Sequence, residues 1–257
     1  MLSEFIGLLK REVMRSFRSF VIVLIMILQP IMWLIFFGSS LSGLPNQFLR
    51  NFFGVDNYIA YLLPGQLSVS MLFIGFFSSM SLIWDKRFGF LKKILITPAP
   101  KEVVSISKIL GATIRGLFQV PIMILVSIPL GVKIPLDPIG ILCWILGLFM
   151  LGVGFSSLFM IISISSSDWQ VPQIVSNAIN LPLMFTSTTL FPRTFFPEWM
   201  RVISEYNPIS YAADLGRSVI NGEPISSYIN DLIFLIIFAL IFLILNIVIT
   251  KRYLQAE

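Results

Sequence analysis

The stretch from Trp84 to Pro100 reads WDKRFGFLKKILITPAP and places Lys86, Arg87, Lys92 and Lys93 within eight positions. Such a cluster can bind an anionic surface or dock on a protein, but it cannot trade protons near neutral pH. Little else in the chain offers reactive chemistry. There is no histidine, which excludes His-bearing zinc sites and His-based acid–base or triad catalysis. The lone cysteine, Cys143, lies in an apolar run, so no intrachain disulfide forms, and it reads as a small buried apolar residue. None of the thirteen acidic residues falls in the middle of a long apolar run. That argues against proton- or sodium-coupled carriers and against intramembrane aspartyl proteases. No phosphate-binding G-x-x-x-x-G-K-[ST] loop occurs, nor the dipeptide Gly-Lys. If ATP drives this protein, the ATPase is another chain.

Inside the apolar runs the polar groups are neutral, among them Gln29, Gln66, Gln119, Asn177, Asn180 and Thr186. They can join helices by hydrogen bonds or line a pathway. Asn177 and Asn180 are spaced i, i+3 and are expected on one face. Arg115 is the exception to neutrality. Lys101, Lys108 and Arg115 recur every seven residues, nearly two helical turns, so they share a face. Either Arg115 snorkels to the inner interface, or the three line a cytoplasmic vestibule.

The elements that must position these residues follow from composition. Hydrophobic residues make up 56% and charged residues 12% of the 257, with a mean hydropathy of +0.91. One soluble core cannot absorb that much apolar surface, so lipid is the expected solvent. About 20 apolar residues cross the hydrocarbon as a helix. Six stretches qualify: 20–41, 58–84, 105–132, 139–165, 171–191 and 232–250. The fold class is therefore all-α, a single polytopic membrane domain over residues 1–257. With both termini inside, twelve of the eighteen Lys and Arg residues are cytoplasmic and five external, as the positive-inside rule prefers. The expected location is the plasma membrane, multi-pass. The net charge of +5 then reflects basic loops beside anionic lipid, not nucleic acid.

Residues 1–19 read as an amphipathic interfacial helix, with Phe5, Leu8, Leu9, Val13 and Phe17 near one face and Lys10, Arg11, Arg15 and Arg18 on the other. They do not read as a signal peptide, because the basic residues follow the apolar start. The outer loop 42–57 is expected to be modest. Residues 192–224 read as short helices at the outer interface: Asn207 is a good cap with Pro208 at the first helical position, and Gly222 and Pro224 end the helix. No internal repeat is evident, which weakens an inverted-repeat carrier.

Three pieces together resemble the type-2 ABC-transporter permease family, which includes drug-resistance, nodulation-factor and O-antigen export permeases. They are DKRFGFLKKILITPAPKEVVSISKIL (Asp85 to Leu110), LFPRTFFPEWMRVISEYNPISYAADLGRSVI (Leu190 to Ile220), and the basic amphipathic start ahead of six spans. The resemblance implies a membrane subunit that pairs with a second copy of itself and with two copies of an ABC ATPase subunit. The chain itself would carry no cofactor; ATP and Mg²⁺ would sit on that partner. The segment 85–100 would be a short coupling helix contacting the ATPase through Arg87, Phe88, Gly89, Phe90, Leu91, Lys92 and Leu95. On this reading its four basic residues mainly set topology, while its apolar side makes the contact. Residues 192–224 would form the extracellular gate, with Phe191, Pro192, Trp199, Asn207, Pro208 and Tyr211. By the same analogy, Phe73, Phe76 and Phe77 of the second span and Asn177, Asn180 and Met184 of the fifth would line the pathway.

The expected function is outward transport of a hydrophobic or amphipathic organic molecule or lipid. The 24 phenylalanines and the absence of an acidic ring favour such a cargo. A polysaccharide or glycolipid is the alternative within the family. An ATP-independent channel or carrier, and a structural or assembly protein, are the alternatives outside it.

Overall fold

The computed structural model describes every residue except 1, 19, 42, 90–99, 135–136, 167, 169 and 256–257. The described residues form helices and turns, with no strand. In chain order these are α1 (Leu2–Arg18), α2 (Phe20–Leu41), α3 (Asn46–Phe53), α4 (Tyr58–Arg87), α5 (Lys101–Leu117), α6 (Gln119–Ser127), α7 (Pro138–Ser165), α8 (Gln170–Phe185), α9 (Glu198–Glu205), α10 (Pro208–Ile220) and α11 (Ile225–Gln255). A 3₁₀ turn, Arg193–Phe195, precedes α9.

Four helices are long and apolar enough to cross a bilayer: α4, α5 together with α6, α7, and α11. A fifth is reached if Ile27–Leu41 and Asn46–Phe53, which meet at a sharp bend, count as one broken span. The expected sixth falls short. The stretch 171–191 is helical only to Phe185, and a 16-residue helix is about 24 Å long against the ~30 Å of hydrocarbon. Pro182 lies in its last turn, and a non-helical stretch follows from Thr186. The other boundaries also move. α4 runs to Arg87 rather than residue 84, α5 begins at Lys101 and breaks at Phe118, and α11 starts at Ile225 rather than residue 232. The loop 42–57 contains a helix, α3, closed by Gly54 in the left-handed conformation.

α4 and α7 form the centre. Of the 30 residues of α4, 22 are buried, so it reads as apolar all round rather than amphipathic. α7 packs on α11, α4, α5 and α10. The most apolar stretch of α11 is only 22% buried, against 72% for α4, and its exposed row of Ile233, Ile237, Leu240, Ile244 and Val248 suits acyl chains. α1 is not merely a surface float. It packs along α5, with Leu8 joining an apolar cluster around Val104, Ile109 and Met160. The side chains of Arg15, Phe17, Arg18 and Lys101 lie outside the described set.

The α4–α7 crossing is close because small residues sit at it, as membrane helices without a hydrophobic drive between them require. A Cβ added at Gly75 would lie 2.8 Å from the backbone carbon of Phe155 and the backbone nitrogen of Ser156. Backbone cannot step aside as a side chain can. Gly75→Val should therefore cost about 1–3 kcal/mol, the range for overpacking a filled interior. A lower apparent melting temperature of the detergent-solubilised protein would report it. Unchanged melting would mean that the two helices do not meet at this distance.

Candidate functional site

Two polar clusters occupy opposite ends of α4. The first ties α10 to the end of α8 and to α4. Asn207 caps α10: its Oδ1 accepts from the Ile209 N–H at 3.0 Å, with Pro208 at the first helical position. Its Nδ2 also donates to the Leu183 carbonyl at 2.7 Å and to Thr186 Oγ1 at 3.1 Å. Leu183 belongs to the last turn of α8, whose carbonyls have no partner within the helix. One side chain thus closes the start of α10 and the end of α8.

Arg217 is the larger device. It is buried, and its Nη2 donates to the Thr188 carbonyl at 2.5 Å and the Thr189 carbonyl at 3.4 Å. Nη1 reaches Asp214 Oδ1 at 2.6 Å and Thr188 Oγ1 at 3.0 Å, and Nε the Tyr61 carbonyl at 3.1 Å. The guanidinium lies 3.6 Å from the Tyr61 ring centroid, a cation–π contact. Asp214 is shared with Arg193 at 3.2 Å. Tyr61 and Tyr58 add hydroxyl bonds to the Thr188 and Leu190 carbonyls, at 2.7 and 2.8 Å. The non-helical stretch after α8 is thereby bonded largely by side chains of α4 and α10.

The expected gate residues divide accordingly. Asn207 and Pro208 are buried in this knot. Tyr211 stacks on Phe234 at 3.8 Å and donates to the Glu205 carbonyl at 2.8 Å. Burial pushes its phenol above the ordinary range, against a downward pull from Arg193. Trp199 is exposed, Phe191 touches Phe195 at 6.3 Å between ring centroids, and Pro192 is half-buried. Tyr61 has no signal in the sequence, and Asp214 and Arg217, though part of the Leu190–Ile220 stretch that carries the resemblance, are not among the expected gate residues. The Asp214–Arg217 spacing of i, i+3 was the available signal, but nothing in it marks the pair as buried.

The second cluster lies where α4 ends. Phe88 N–H donates to the Trp84 carbonyl, and Gly89, at φ +68°, donates to the Lys86 carbonyl. A left-handed glycine is a common way to leave a helix. The charges here do more than set topology, contrary to expectation. Asp85 pairs with Lys108 at 2.5 Å. Lys86 Nζ donates to the Ile164 and Ser163 carbonyls, at 3.0 and 3.5 Å, capping the last turn of α7. Arg87 lies 5.7 Å from the Trp84 ring, on which Phe88 also stacks at 5.7 Å. Phe90, Leu91, Lys92 and Leu95 lie outside the described residues.

Beside this cluster is a groove of about 210 Å³, where Phe76, Phe77, Met80, Ile83, Trp84 and Arg87 face Gln173 of α8. It gathers two of the six expected pathway residues. Phe73 and Met184 pack on the main core instead. Asn177 and Asn180 do not share a face: Asn177 is exposed, whereas Asn180 is 3% exposed with neither amide atom bonded among the described residues. Positions i and i+3 differ by about 60° around the axis, enough to straddle the edge of a packed face.

The family model described as "ABC-2 type transporter" matches residues 3–221. The chain belongs to the ABC-2 type transporter family. The permease is 29% identical over 83% of its length to the putative transport permease ycf38 of Cyanophora paradoxa, covering 72% of that relative. It is 23% identical to the daunorubicin resistance ABC transporter permease protein DrrB1 of Streptomyces coeruleorubidus, over 81% of this chain and 72% of the relative. The match to the probable doxorubicin resistance ABC transporter permease protein DrrC of Mycobacterium tuberculosis is also 23% identical, over 84% and 76%. With its apolar spans, the permease is a multi-pass membrane protein.

Removing the Arg217 head group from the permease leaves the Thr189 carbonyl without its side-chain donor, the Thr188 carbonyl with Tyr61 alone, and Asp214 with only Arg193 and Thr188 Oγ1. Arg217→Met should destabilise it by about 1–3 kcal/mol, the cost of leaving buried carbonyls without a donor, since Asp214 keeps Arg193. Arg217→Lys should recover only part, since a point charge replaces a planar fork. Melting of the purified variants gives the ranking; equal stability of all three would mean that Arg217 does not hold the outer helices.

Proposed function

We propose that this chain is the membrane subunit of an ATP-driven exporter that moves a hydrophobic or amphipathic organic molecule outward. Two copies pair with each other and with two ABC ATPase subunits, which hold ATP and Mg²⁺. Both termini are cytoplasmic in this reading, the chain crosses the plasma membrane six times with α8 as its short fifth span, and lipid surrounds the outer faces. The observation that carries it, beside family membership, is the face shared by α4 and α8. Gln173 is exposed there facing exposed Phe77 and Trp84, and Asn177, one turn along α8 from Gln173, is exposed as well. Amides on a membrane helix favour a protein or watery neighbour over acyl chains. A pathway at the junction of two copies supplies both, and its apolar, neutral lining suits an organic cargo. Relatives named for daunorubicin and doxorubicin resistance favour that cargo over a polysaccharide.

ATP binding closes the ATPase pair and pushes on the segment after Arg87. Arg87, Phe88 and Gly89 begin that segment, and Phe90, Leu91, Lys92 and Leu95 continue its contact with the partner. The outer knot at Asn207 and Arg217, with Phe191, Pro192, Trp199, Pro208 and Tyr211 around it, is the gate that responds.

Proteoliposomes with and without the ATPase test the class. Uptake of a labelled amphipathic drug is expected only with both subunits and ATP; gradient-driven flux through this chain alone would overturn the reading. Gly89 tests the coupling. Proline fixes φ near −65° and removes an N–H, whereas Gly89 holds φ +68° and donates to Lys86. Gly89→Pro should abolish transport while leaving membrane insertion and partner-free melting near wild type. Full transport by this variant would remove the segment from the mechanism.

A further inference from the structure

Lys108 is 2% exposed, well inside the cytoplasmic half of the bundle. Its Nζ bonds Asp85 at 2.5 Å and Ser81 Oγ at 3.3 Å, both on α4, and lies 3.5 Å from Glu12 of α1. Arg115, two turns along α5 from Lys108, is within electrostatic reach of Glu12. Asp85 and Glu12 therefore form a mixed-charge cluster with Lys108 and Arg115 inside apolar surroundings, and Arg11 pairs with Glu12 at its rim, 3.6 Å away. The expected basic stripe does not line a vestibule at Lys108; it turns toward α1. α1 approaches closely at this level, since a Cβ on Gly111 would lie 2.8 Å from the Glu12 Cβ.

Stability alone is a poor reason for such a cluster, because apolar packing often replaces a buried ion pair without loss. Its value lies in what it connects. Asp85 sits one turn before Gly89, where the chain leaves α4. Lys108 sits two turns into α5, where the chain re-enters the bundle. Their bond closes the coupling segment at its base, across 23 residues of sequence. Glu12 then adds the interfacial helix to the same lysine. Lys86 fixes the opposite side of the α4 terminus to α7.

We propose that Lys108 is a positioning residue that clamps both ends of the coupling segment and transmits its displacement to α1, so that the interfacial helix moves with the transport cycle. The proposal rests on the exporter reading. It makes α1 a moving part of the permease rather than a passive anchor.

The test uses the permease with its ATPase in proteoliposomes. Lys108→Arg keeps the charge, and Asp85→Asn with Lys108→Gln neutralises the pair without stranding a charge between them. Spin labels at exposed Gly7 of α1 and exposed Leu125 of α6 report the motion of α1 on adding a non-hydrolysable ATP analogue. In the wild type the label distance should change with nucleotide. In the neutral double variant that change should vanish, and cargo moved per ATP hydrolysed should fall about fivefold or more, the usual lower end for coupled sites. Lys108→Arg should retain most of both. Melting within a few degrees of wild type qualifies a variant for comparison, and Asp85→Asn alone serves if the double variant melts early. Wild-type label motion and coupling that persist in the neutral variant overturn the proposal. A wild-type complex without ATP-driven transport overturns the exporter reading, and the proposal with it.

Discussion

Hydrocarbon offers no hydrogen bonds, so a backbone that stops being helical at membrane depth must find partners within the protein. That requirement explains the end of the molecule that holds Tyr58, Tyr61 and α10. α8 ends early, and the residues after it have carbonyls that no helix satisfies. The carbonyls of Leu183 in the last turn of α8 and of Thr188, Thr189 and Leu190 beyond it are taken by Asn207, Arg217, Tyr61 and Tyr58. Four side chains from two helices stand in for the missing helical bonds. They also decide where α10 can lie, because Arg217 cannot serve Thr188 and Tyr61 unless α10 is pressed against α4.

The same medium governs the opposite end through charge. An isolated ion there is expensive, and the protein answers by placing opposite charges together. Lys108 is matched by Asp85 and Glu12, and Glu12 also acts on Arg115. Lys86 is spent on the open end of α7. The charged end of α4 is therefore an anchored root, and the residues that leave it at Gly89 start from a fixed direction.

Much of the plan was legible in the sequence because it is written in hydropathy and caps. Apolar length located α4, α7 and α11, and the Asn207–Pro208 pair marked the start of α10. The failures share a physical cause. Helix ends were misplaced where charge is tolerated: α4 runs through Asp85, Lys86 and Arg87 because each finds a partner, and α11 carries Asp231 in its first turns. The α8 boundary was missed because residues 186–191, four hydroxyl residues followed by Leu190 and Phe191, carry no charge, glycine or proline to break the run. Side-chain partners were the least legible. Nothing local distinguishes a lysine that faces water, as Lys108 was expected to, from one buried between two carboxylates 23 and 96 positions away. The split of Asn177 from Asn180 has the same origin, since which edge of a helix is covered depends on neighbours distant in sequence.

The two clusters gain meaning from the helix between them. α4 is buried over most of its length and touches α7, α10, α5 and α2. A close-packed helix in such a sheath moves largely as a unit when displaced at one end, with Pro64, one turn from Tyr61, the position where its hydrogen-bond ladder is interrupted. Its inner end carries Asp85 and Arg87, beside the segment that the exporter reading assigns to the ATPase. Its outer end carries Tyr58 and Tyr61, bonded to the stretch that fixes α10. On the exporter reading, a push at Gly89 need not travel through the proposed substrate path to reach the proposed gate. It arrives along α4 at the carbonyls of Thr188 and Leu190, where a shift of about an ångström is enough to break a hydrogen bond. The outer knot is built from short polar contacts and one arginine rather than a broad apolar seam. Contacts of that kind fail over small displacements, so a helix moving largely as a unit can switch them where a greasy interface would only slide.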